Sequence, residues 1–286
     1  MKQYIFIGLL FLQSLCIAQV NTKYKTDFNT FFICIDSVSY NQLFLNKYIK
    51  DTLFICREVS EQTDTDSYTG KYLIGESATL EFFKPKPTNK LGDNFGDWGI
   101  EFKTRKLTNL NQIIAKATQL KLPIDTATVK AVYDTALIPW YKSLSFKNTK
   151  NELSILEYQL AYLQELGFTK SQIDKSMTFK EFNNILSNGK KYPRQFAMVS
   201  YIKLHASKKV ITDLQQFAKL NNCKTENNTI TNGETVIEYE AVENLPQFAI
   251  QEVGITLLSE QKFRIEKISD NIYLKVEGKK AKFIFK

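Results

Sequence analysis

A carboxylate recurs in the same local setting along the chain. Glu81, Glu157 and Glu238 each stand between an aliphatic and an aromatic residue, near the end of a β-prone stretch. They are 76 and 81 residues apart. This period is longer than the roughly 20–50 residues of solenoid repeats, and it fits a small α+β module copied along the chain. The sequence therefore predicts a fold built from repeated modules.

The first copy of the module is predicted to have the order βαβββ. Asp36 or Ser37 offers the N-cap of its helix, because short polar side chains accept hydrogen bonds from the first helical turn. Pro85 and Pro87 end its last strand, because proline cannot donate to a strand ladder. The predicted segments are a strand at 28–35, a helix from 37 to about 50, and strands at 52–59, 68–74 and 78–83.

The second copy repeats this order, and a helical stretch follows it. Its predicted segments are a strand at 98–102, a helix at 110–120, and strands at 129–133, 140–146 and 153–158. Residues 161–188 have a helical pattern with a break near 168–171, and Thr178 is a candidate cap for the second part. We interpret this stretch as a linker that packs on the surface.

The third and fourth copies are less regular. The third has a strand at 196–204, a helix at 207–220, and strands at 223–226 and 235–240. The fourth lacks a helix and has strands at 252–257, 262–268, 272–276 and 281–285, with Lys282 at the position of the repeated Glu. The predicted domains are a signal peptide at 1–18, a two-module domain at 19–160, a helical linker at 161–190, and a degenerate second half at 191–286.

The first eighteen residues are typical of a secretory signal. Lys2 is followed by an apolar run at 4–12 and a small residue before Gln19. A transmembrane anchor is the alternative, but the run is shorter than the roughly 20 residues needed to span a bilayer. Lipid attachment at Cys16 would require a small residue where Leu15 stands. We expect an exported protein, periplasmic or secreted, with no transmembrane segment after cleavage.

Charge and cysteine content limit the classes of partner. The formal net charge is +8, but basic residues are scattered among acidic ones and no RNA-binding motif accompanies them. We therefore expect no nucleic-acid partner. Cys34 and Cys56 are the only cysteine pair within one predicted module. Export permits a disulfide between them, buried free thiols are equally ordinary, and the sequence leaves both open.

The module order and several short segments resemble the vicinal oxygen chelate superfamily, which includes glyoxalase I, extradiol dioxygenases and bleomycin-resistance proteins. The segments are Phe-Asn-Thr-Phe-Phe at 28–32, Tyr-Thr-Gly-Lys-Tyr at 68–72, Leu-Glu-Phe-Phe at 80–83, and Gly92-Asp93 leading into Gly99-Ile100. The chain is similar to an exported glyoxalase-like branch whose activity is not established. The resemblance implies an α+β fold in which βαβββ modules pair into curved mixed sheets around a ligand cleft.

The resemblance also implies where ligands bind. Members typically take metal ligands from the first and last strands of each module, and these positions match Thr30, Glu81, Gly99 and Glu157. Threonine is a poor ligand and glycine has no side chain, so half of the expected set is missing. We therefore expect a small molecule in the cleft of the first module pair. The candidate binding residues are Glu81, Glu157, Thr30, Tyr72 and Trp98.

Two other interpretations stay open. A divalent metal held by Glu81 and Glu157 would give a metal-dependent lyase, isomerase or oxygenase. Alternatively, the carboxylates face solvent or a basic residue and the protein is a non-catalytic interaction module. His205, the only histidine, is remote from both carboxylates in the pattern. The acidic segments at 64–67 and 92–97 lack the full calcium-loop spacing and are expected to be turns.

Overall fold

A computed structural model describes residues 24–88, 90–133 and 136–286. The expected signal peptide lies outside these residues. The first unit has the predicted βαβββ order, with a short π-helical turn at Ile49–Leu53 after its helix. Its elements are β1 (Thr26–Cys34), α1 (Ser37–Leu43), β2 (Ile55–Gln62), β3 (Ser67–Ile74) and β4 (Thr79–Phe83). The side chain of Asp36 accepts from the backbone N–H of Ser39, which confirms the predicted helix start.

The second unit has the same order. Its elements are β5 (Trp98–Thr104), α2 (Asn109–Gln119), β6 (Asp125–Tyr133), β7 (Ala136–Lys147) and β8 (Asn151–Tyr158). The two units join through antiparallel pairing of β1 with β5. Together they form one eight-stranded mixed sheet in the order β2-β3-β4-β1-β5-β8-β7-β6. The predicted fold class is confirmed.

Three short helices follow the first sheet: α3 (Leu160–Glu165), α4 (Lys170–Ile173) and α5 (Phe179–Leu186). Thr178 caps α5 in a reciprocal capping box with Glu181, as the sequence predicts. The helices pack on Tyr158 and on their own aromatic residues, and Phe168 stacks on Phe182 at 5.1 Å between ring centroids. These helices do more than cover the surface, because α5 also forms one wall of the cleft described below.

The rest of the chain forms a six-stranded sheet in the order β10-β11-β12-β9-β13-β14. Its elements are β9 (Phe196–Ala206), α6 (Lys208–Leu220), β10 (Lys224–Glu226), β11 (Thr229–Thr231), β12 (Val236–Ala241), β13 (Ile250–Lys267) and β14 (Ile272–Phe285). The prediction of four strands in the last copy is wrong. Residues 250–267 and 272–285 form one long hairpin whose strands continue through irregularities in pairing.

One hydrophobic core lies between the two sheets and includes buried residues of both. Phe82 of β4 meets Phe283 of β14 at 5.6 Å between ring centroids, and Phe102 of β5 meets Phe217 of α6 at 5.1 Å. The core therefore takes one face of each sheet and leaves the other faces for side chains of different character. Within the described residues no helix is long and apolar enough to cross a membrane.

Cys34, Cys56 and Cys223 are free thiols. Cys34 is buried, and burial, followed by the nearby charge of Asp97, raises the pKa of its thiol to about 12. The thiol of Cys56 has its pKa raised to about 12, also mainly by burial. Because thiolates are the reactive form of cysteine, these side chains behave as packing groups.

Candidate functional site

Strand alternation places carboxylates on the concave face of the eight-stranded sheet. Successive side chains of a strand point to opposite faces. In β4, Leu80 and Phe82 are buried in the core, so Glu81 between them points to the other face. The same alternation along β5 directs Glu101 to that face, because Ile100 and Phe102 on either side of it are buried in the core.

Strand register aligns these side chains in two neighbouring rows. In the first row, Phe32 of β1 lies opposite Glu81 and Gly99, and Gly99 lies opposite Glu152 of β8. The second row consists of Thr79, Thr30, Glu101 and Ser154. Four strands thus bring three carboxylates to one surface, although they are far apart in sequence.

This surface lines a cleft with a volume of about 690 Å³. The sheet provides its floor, and α5 and the segment after β4 contribute to its walls through Phe179, Asn183 and Asp93, among others. Pockets for small organic molecules have volumes of roughly 300–1,000 Å³ and combine apolar walls with a few polar groups. The cleft has both the size and the mixed lining of such a pocket.

Glu81 stands in the cleft without a compensating partner. Across the described parts of the chain, its half-buried carboxylate has neither a hydrogen-bond donor nor a basic side chain within contact distance. Burial, followed by the nearby charges of Glu101 and Glu61, raises its pKa well above the ordinary value. Burial disfavours the charged form of this carboxyl group, and no partner among the described residues offsets that cost.

Glu101 has one polar partner and no cation. Its Oε1 accepts a hydrogen bond of 2.6 Å from Nδ2 of Asn29. Burial raises the pKa of Glu101 to about 8, against the lowering effect of the Asn29 hydrogen bond and with a further rise from the charge of Glu152. Asn29 is itself 3% exposed, and its Oδ1 is buried without a hydrogen-bond partner.

The remaining charged groups of the cleft are paired. Glu152 lies 3.8 Å from the ammonium of Lys147. Lys86 lies 3.4 Å from Asp93. Burial still raises the pKa of Glu152, although the charge of Lys147 opposes that shift. Glu81 and Glu101 are thus distinguished from the other acids of the cleft by the lack of a basic neighbour.

Aromatic side chains form two walls of the cleft. On the β3–β4 side, Phe83 makes edge-to-face contacts with Phe32, Tyr68 and Tyr72, at ring-centroid distances of 6.1, 5.8 and 6.5 Å. The opposite wall contains Tyr158 stacked on Phe182 of α5 at 5.2 Å, and Trp140 against Tyr141 at 5.0 Å. Burial raises the pKa of Tyr68, Tyr72, Tyr141 and Tyr158, so these phenols stay neutral.

The structure does not bring Glu157 to Glu81. In β8 the residues on either side, Leu156 and Tyr158, line the cleft, so Glu157 points to the other face of the sheet. There it accepts hydrogen bonds from the backbone N–H groups of Thr108 and Leu110 at 2.8 and 2.9 Å, and from the Thr104 hydroxyl at 3.0 Å. Glu157 therefore stabilises the start of α2 and is not a cleft ligand.

The other candidate residues divide between the cleft and the core. Thr30 and Tyr72 line the cleft. Trp98 does not, because it is 2% exposed and belongs to the hydrophobic core. Gly99 gives room to an aromatic ring: a side chain there would come within 2.0 Å of Phe32.

Sequence reasoning missed Glu101 and Glu152. The signal for Glu101 was present, because Gly99, Glu101 and Lys103 alternate with the apolar residues of the same strand. The two acidic segments are turns, as expected. Thus Asp97 Oδ2 accepts from the backbone N–H groups of Gly92 and Asn94.

A family profile described as a family of unknown function, DUF5829, matches residues 28–285. The chain belongs to the DUF5829 family. No curated relative matches the sequence.

Several solved structures are similar to the chain. One is the Mn(II)-bound glyoxalase from Novosphingobium aromaticivorans, at 8% identity and a TM-score of 0.42, with 76% of this chain and 63% of that chain covered. Another is catechol 2,3-dioxygenase, at 10% identity and a TM-score of 0.46, with coverages of 88% and 84%. An extradiol ring-cleaving dioxygenase from B. fuscum has 8% identity and a TM-score of 0.37, with coverages of 74% and 53%. The chain spans less than two thirds of the length of the glyoxalase.

The order and pairing of the strands can be compared with the fold that the sequence resemblance implies. Two βαβββ units paired through their first strands, β1 and β5, form the curved mixed sheet that the resemblance implies. The resemblance to the vicinal oxygen chelate superfamily is thus confirmed for the fold.

The cleft does not offer the donor set of a catalytic first-row metal site. Such sites usually take three or more protein ligands, with imidazole or thiolate common among them. Within the described ranges, no group of three or more His, Cys, Asp or Glu side chains could hold a metal ion. Glu81 and Glu101 are separated by β1, and His205 lies in the other sheet, 3.5 Å from Glu240. The expected metal pair of Glu81 and Glu157 is not formed.

Proposed function

We propose that this DUF5829 protein is exported and binds a small organic molecule in the cleft of its first module pair. The observation that carries the proposal is Glu81, a carboxylate without a partner on the floor of a cleft of about 690 Å³. On the same floor Asn29 Oδ1 is buried without a hydrogen-bond partner, and leaving a buried polar group unsatisfied costs roughly 1–3 kcal/mol. A bound molecule that supplies the missing partner recovers part of that cost.

The shape and lining of the cleft support the same proposal. Aromatic rings stand on two sides, and polar groups converge on the floor between them. This arrangement allows apolar walls to bury most of a ligand while a few polar atoms fix its orientation. Binding of this kind does not require a metal ion.

A thermal-shift screen with small organic molecules tests the proposal, with the cleft filled in one variant. Ser154→Phe places a ring on the cleft floor, where Ser154 is 6% exposed. Ser60→Phe makes the same change on the exposed outer part of β2, away from the cleft. We expect ligands to raise the melting temperature of the native protein and of Ser60→Phe, but not of Ser154→Phe.

Circular dichroism first verifies that both variants are folded. A ligand response that persists in folded Ser154→Phe contradicts binding in the cleft, as does a screen without any response. Elemental analysis after purification without chelators addresses the metal alternative. Stoichiometric divalent metal that is lost in Glu81→Gln would favour a metal-dependent enzyme instead.

The export part of the proposal rests on residues 1–18 alone. Mass spectrometry of the chain recovered from the exported fraction measures its first residue. We expect a mature chain that begins at Gln19. A chain that retains Met1, or one that carries a lipid on Cys16, contradicts cleavage by an ordinary signal peptidase.

A further inference from the structure

We propose that the ligand of the cleft is an organic cation whose positive charge lies between Glu81 and Glu101 and whose apolar part lies against the aromatic walls. This inference rests on the proposed function, since it names the chemical class of the molecule bound there. Four independent features of the cleft support it.

The first feature is the balance of charge on the cleft floor. Glu152 has Lys147 at 3.8 Å, and Asp93 has Lys86 at 3.4 Å. No such basic neighbour faces Glu81 or Glu101 within the ranges that the structure describes. Glu81 and Glu101 lie on the same surface, and each lacks a positively charged partner.

Lys103 does not supply that charge, although it follows Glu101 by two residues on β5. Its ammonium is directed to the carbonyl oxygen of Thr104 at 3.3 Å. It lies 5.4–6.0 Å from the ring centroids of Phe182, Tyr158 and Phe179. The ammonium is held beneath the aromatic wall and is not part of the cleft lining.

The second feature is an excess of hydrogen-bond acceptors. Asn29 Nδ2 donates to Glu101 and to the Thr30 hydroxyl oxygen, at 2.6 and 3.1 Å. This leaves Asn29 Oδ1 as an unpartnered acceptor on a side chain that is 3% exposed and lines the cleft. The carboxylate of Glu81 adds further acceptor atoms. A ligand matched to this surface must donate hydrogen bonds, as a protonated amine does.

The third feature is the position of the aromatic rings relative to the carboxylates. The ring of Phe32 lies across Gly99, in the same row of the sheet as Glu81. Tyr72 is the cross-strand partner of Glu81 on the other side. A cation over an aromatic face within about 6 Å is stabilised by roughly 0.5–2 kcal/mol. The same position lets the apolar part of the ligand contact Phe83 and Tyr68.

The fourth feature distinguishes an organic cation from a metal ion. The cleft volume is about 690 Å³, and no set of three acidic, histidine or cysteine ligands converges in the described chain. A bare ion would leave most of the cleft and all of the aromatic surface without contacts. An organic cation uses the carboxylates, the amide and the rings together.

Three probes with one skeleton and different charge test the inference. They are 2-phenylethylamine, 2-phenylethanol and 3-phenylpropanoate, titrated calorimetrically at pH 7 and low salt. We expect the amine to bind about tenfold more tightly than the alcohol, which corresponds to roughly one charged contact. We expect the carboxylate to bind more weakly than both.

Variants locate the charge effect. Glu81→Gln and Glu101→Gln are each expected to reduce amine affinity about tenfold and to leave alcohol affinity nearly unchanged. Glu238→Gln is the matched control, because Glu238 lies on the other sheet and already has Lys203 at 3.6 Å. It is expected to change neither affinity.

Each outcome separates the two proposals. Binding of the alcohol or the carboxylate as tightly as the amine overturns the cationic ligand but retains small-molecule binding. Loss of amine binding in Glu238→Gln rather than in the cleft variants also overturns it. If millimolar calcium chloride displaces the amine, an inorganic ion is the better ligand and the inference fails. If none of the probes binds, the inference is contradicted, and the screen described above decides the fate of the cleft itself.

Discussion

The two sheets of this protein turn comparable faces away from their shared core, yet they treat carboxylates differently. In the six-stranded sheet three glutamates lie beside nitrogen-bearing side chains. These pairs are Glu238 with Lys203 at 3.6 Å, Glu240 with His205 at 3.5 Å, and Glu252 with Lys282 at 2.8 Å. In the eight-stranded sheet, Glu81 and Glu101 lack such partners among the described residues and open onto a walled cleft.

The difference shows that the fold does not determine the site. Both sheets carry glutamates on the face away from the core, but in the first sheet aromatic rings line the cleft around Glu81 and Glu101, which have no basic neighbour among the described residues. Lys282 illustrates the contrast, because it contacts both oxygens of Glu252 at 2.8 and 2.9 Å. Glu81 and Glu101 of the first sheet are therefore free to pair with the positive charge of a ligand, whereas Glu252 of the second sheet is already paired with Lys282.

The largest expected change in stability concerns Glu157, a glutamate of the first sheet whose carboxylate accepts hydrogen bonds from the protein itself. Glu157→Ala removes the acceptor for two backbone N–H groups at the start of α2 and for the Thr104 hydroxyl. We expect the free energy of unfolding to fall by about 2–3 kcal/mol, as for loss of a helix cap with charged hydrogen bonds. Urea denaturation measures it. An unchanged midpoint contradicts the stabilising role of Glu157.

The cleft carboxylates should respond in the opposite direction. Glu81→Gln combined with Glu101→Gln replaces two poorly solvated acids by neutral side chains of similar shape. We expect the free energy of unfolding at pH 8.5 to rise by about 1–2 kcal/mol, because the ionised forms are the costly ones. Denaturant titration of the double variant and of native protein gives the difference. A decrease shows that these carboxylates have stabilising partners in the fold.

The free energy of unfolding should also decrease as the pH rises, because the pKa of Glu101 is raised in the folded protein. The folded protein holds the Glu101 proton up to about pH 8, whereas unfolded chains release it near the ordinary glutamate pKa of about 4.3. The stabilisation from the bound proton is therefore complete below that ordinary value and is lost as the pH rises through about 8. We expect Glu101→Gln to lose less stability than native protein between pH 5 and pH 8.5, because the substituted side chain has no proton to release. Parallel pH profiles for the two proteins contradict the assignment.

The smallest effect is expected in the second sheet. Glu252→Gln breaks a partly exposed ion pair with Lys282. Such pairs contribute about 0.2–1 kcal/mol, and salt weakens them. We expect a decrease of that size in the unfolding free energy at low salt that shrinks at 1 M sodium chloride. An increase on substitution would remove the contrast between the two faces.

Features determined by local sequence were predictable. Asp36 and Thr178 cap their helices as expected, since capping depends on a few consecutive residues. The βαβββ order of the first two units followed from hydrophobic periodicity and turn residues. The short strand β11 (Thr229–Thr231) was missed, because three residues are too few to show a period.

Features determined by pairing were not predictable. Glu81 and Glu157 have the same local sequence pattern, with an aliphatic residue before and an aromatic residue after. A shift of one residue in strand pairing nevertheless reverses the face to which every side chain of the strand points. The neighbours of Glu81 are buried in the core, whereas Tyr158 next to Glu157 lines the cleft. Periodicity within a strand cannot show which face meets the core, because that choice depends on the partner strands and the helices.

The ionisation of Glu101 is the most direct test of cation binding in the cleft. Carbon-13 NMR of side-chain carboxyl groups follows each glutamate as the pH is raised, and Glu101→Gln identifies the signal. We predict that the Glu101 signal shifts near pH 8, and that 2-phenylethylamine moves this transition to lower pH. A Glu101 signal that titrates fully below pH 5 without ligand, unmoved by the amine, would contradict it.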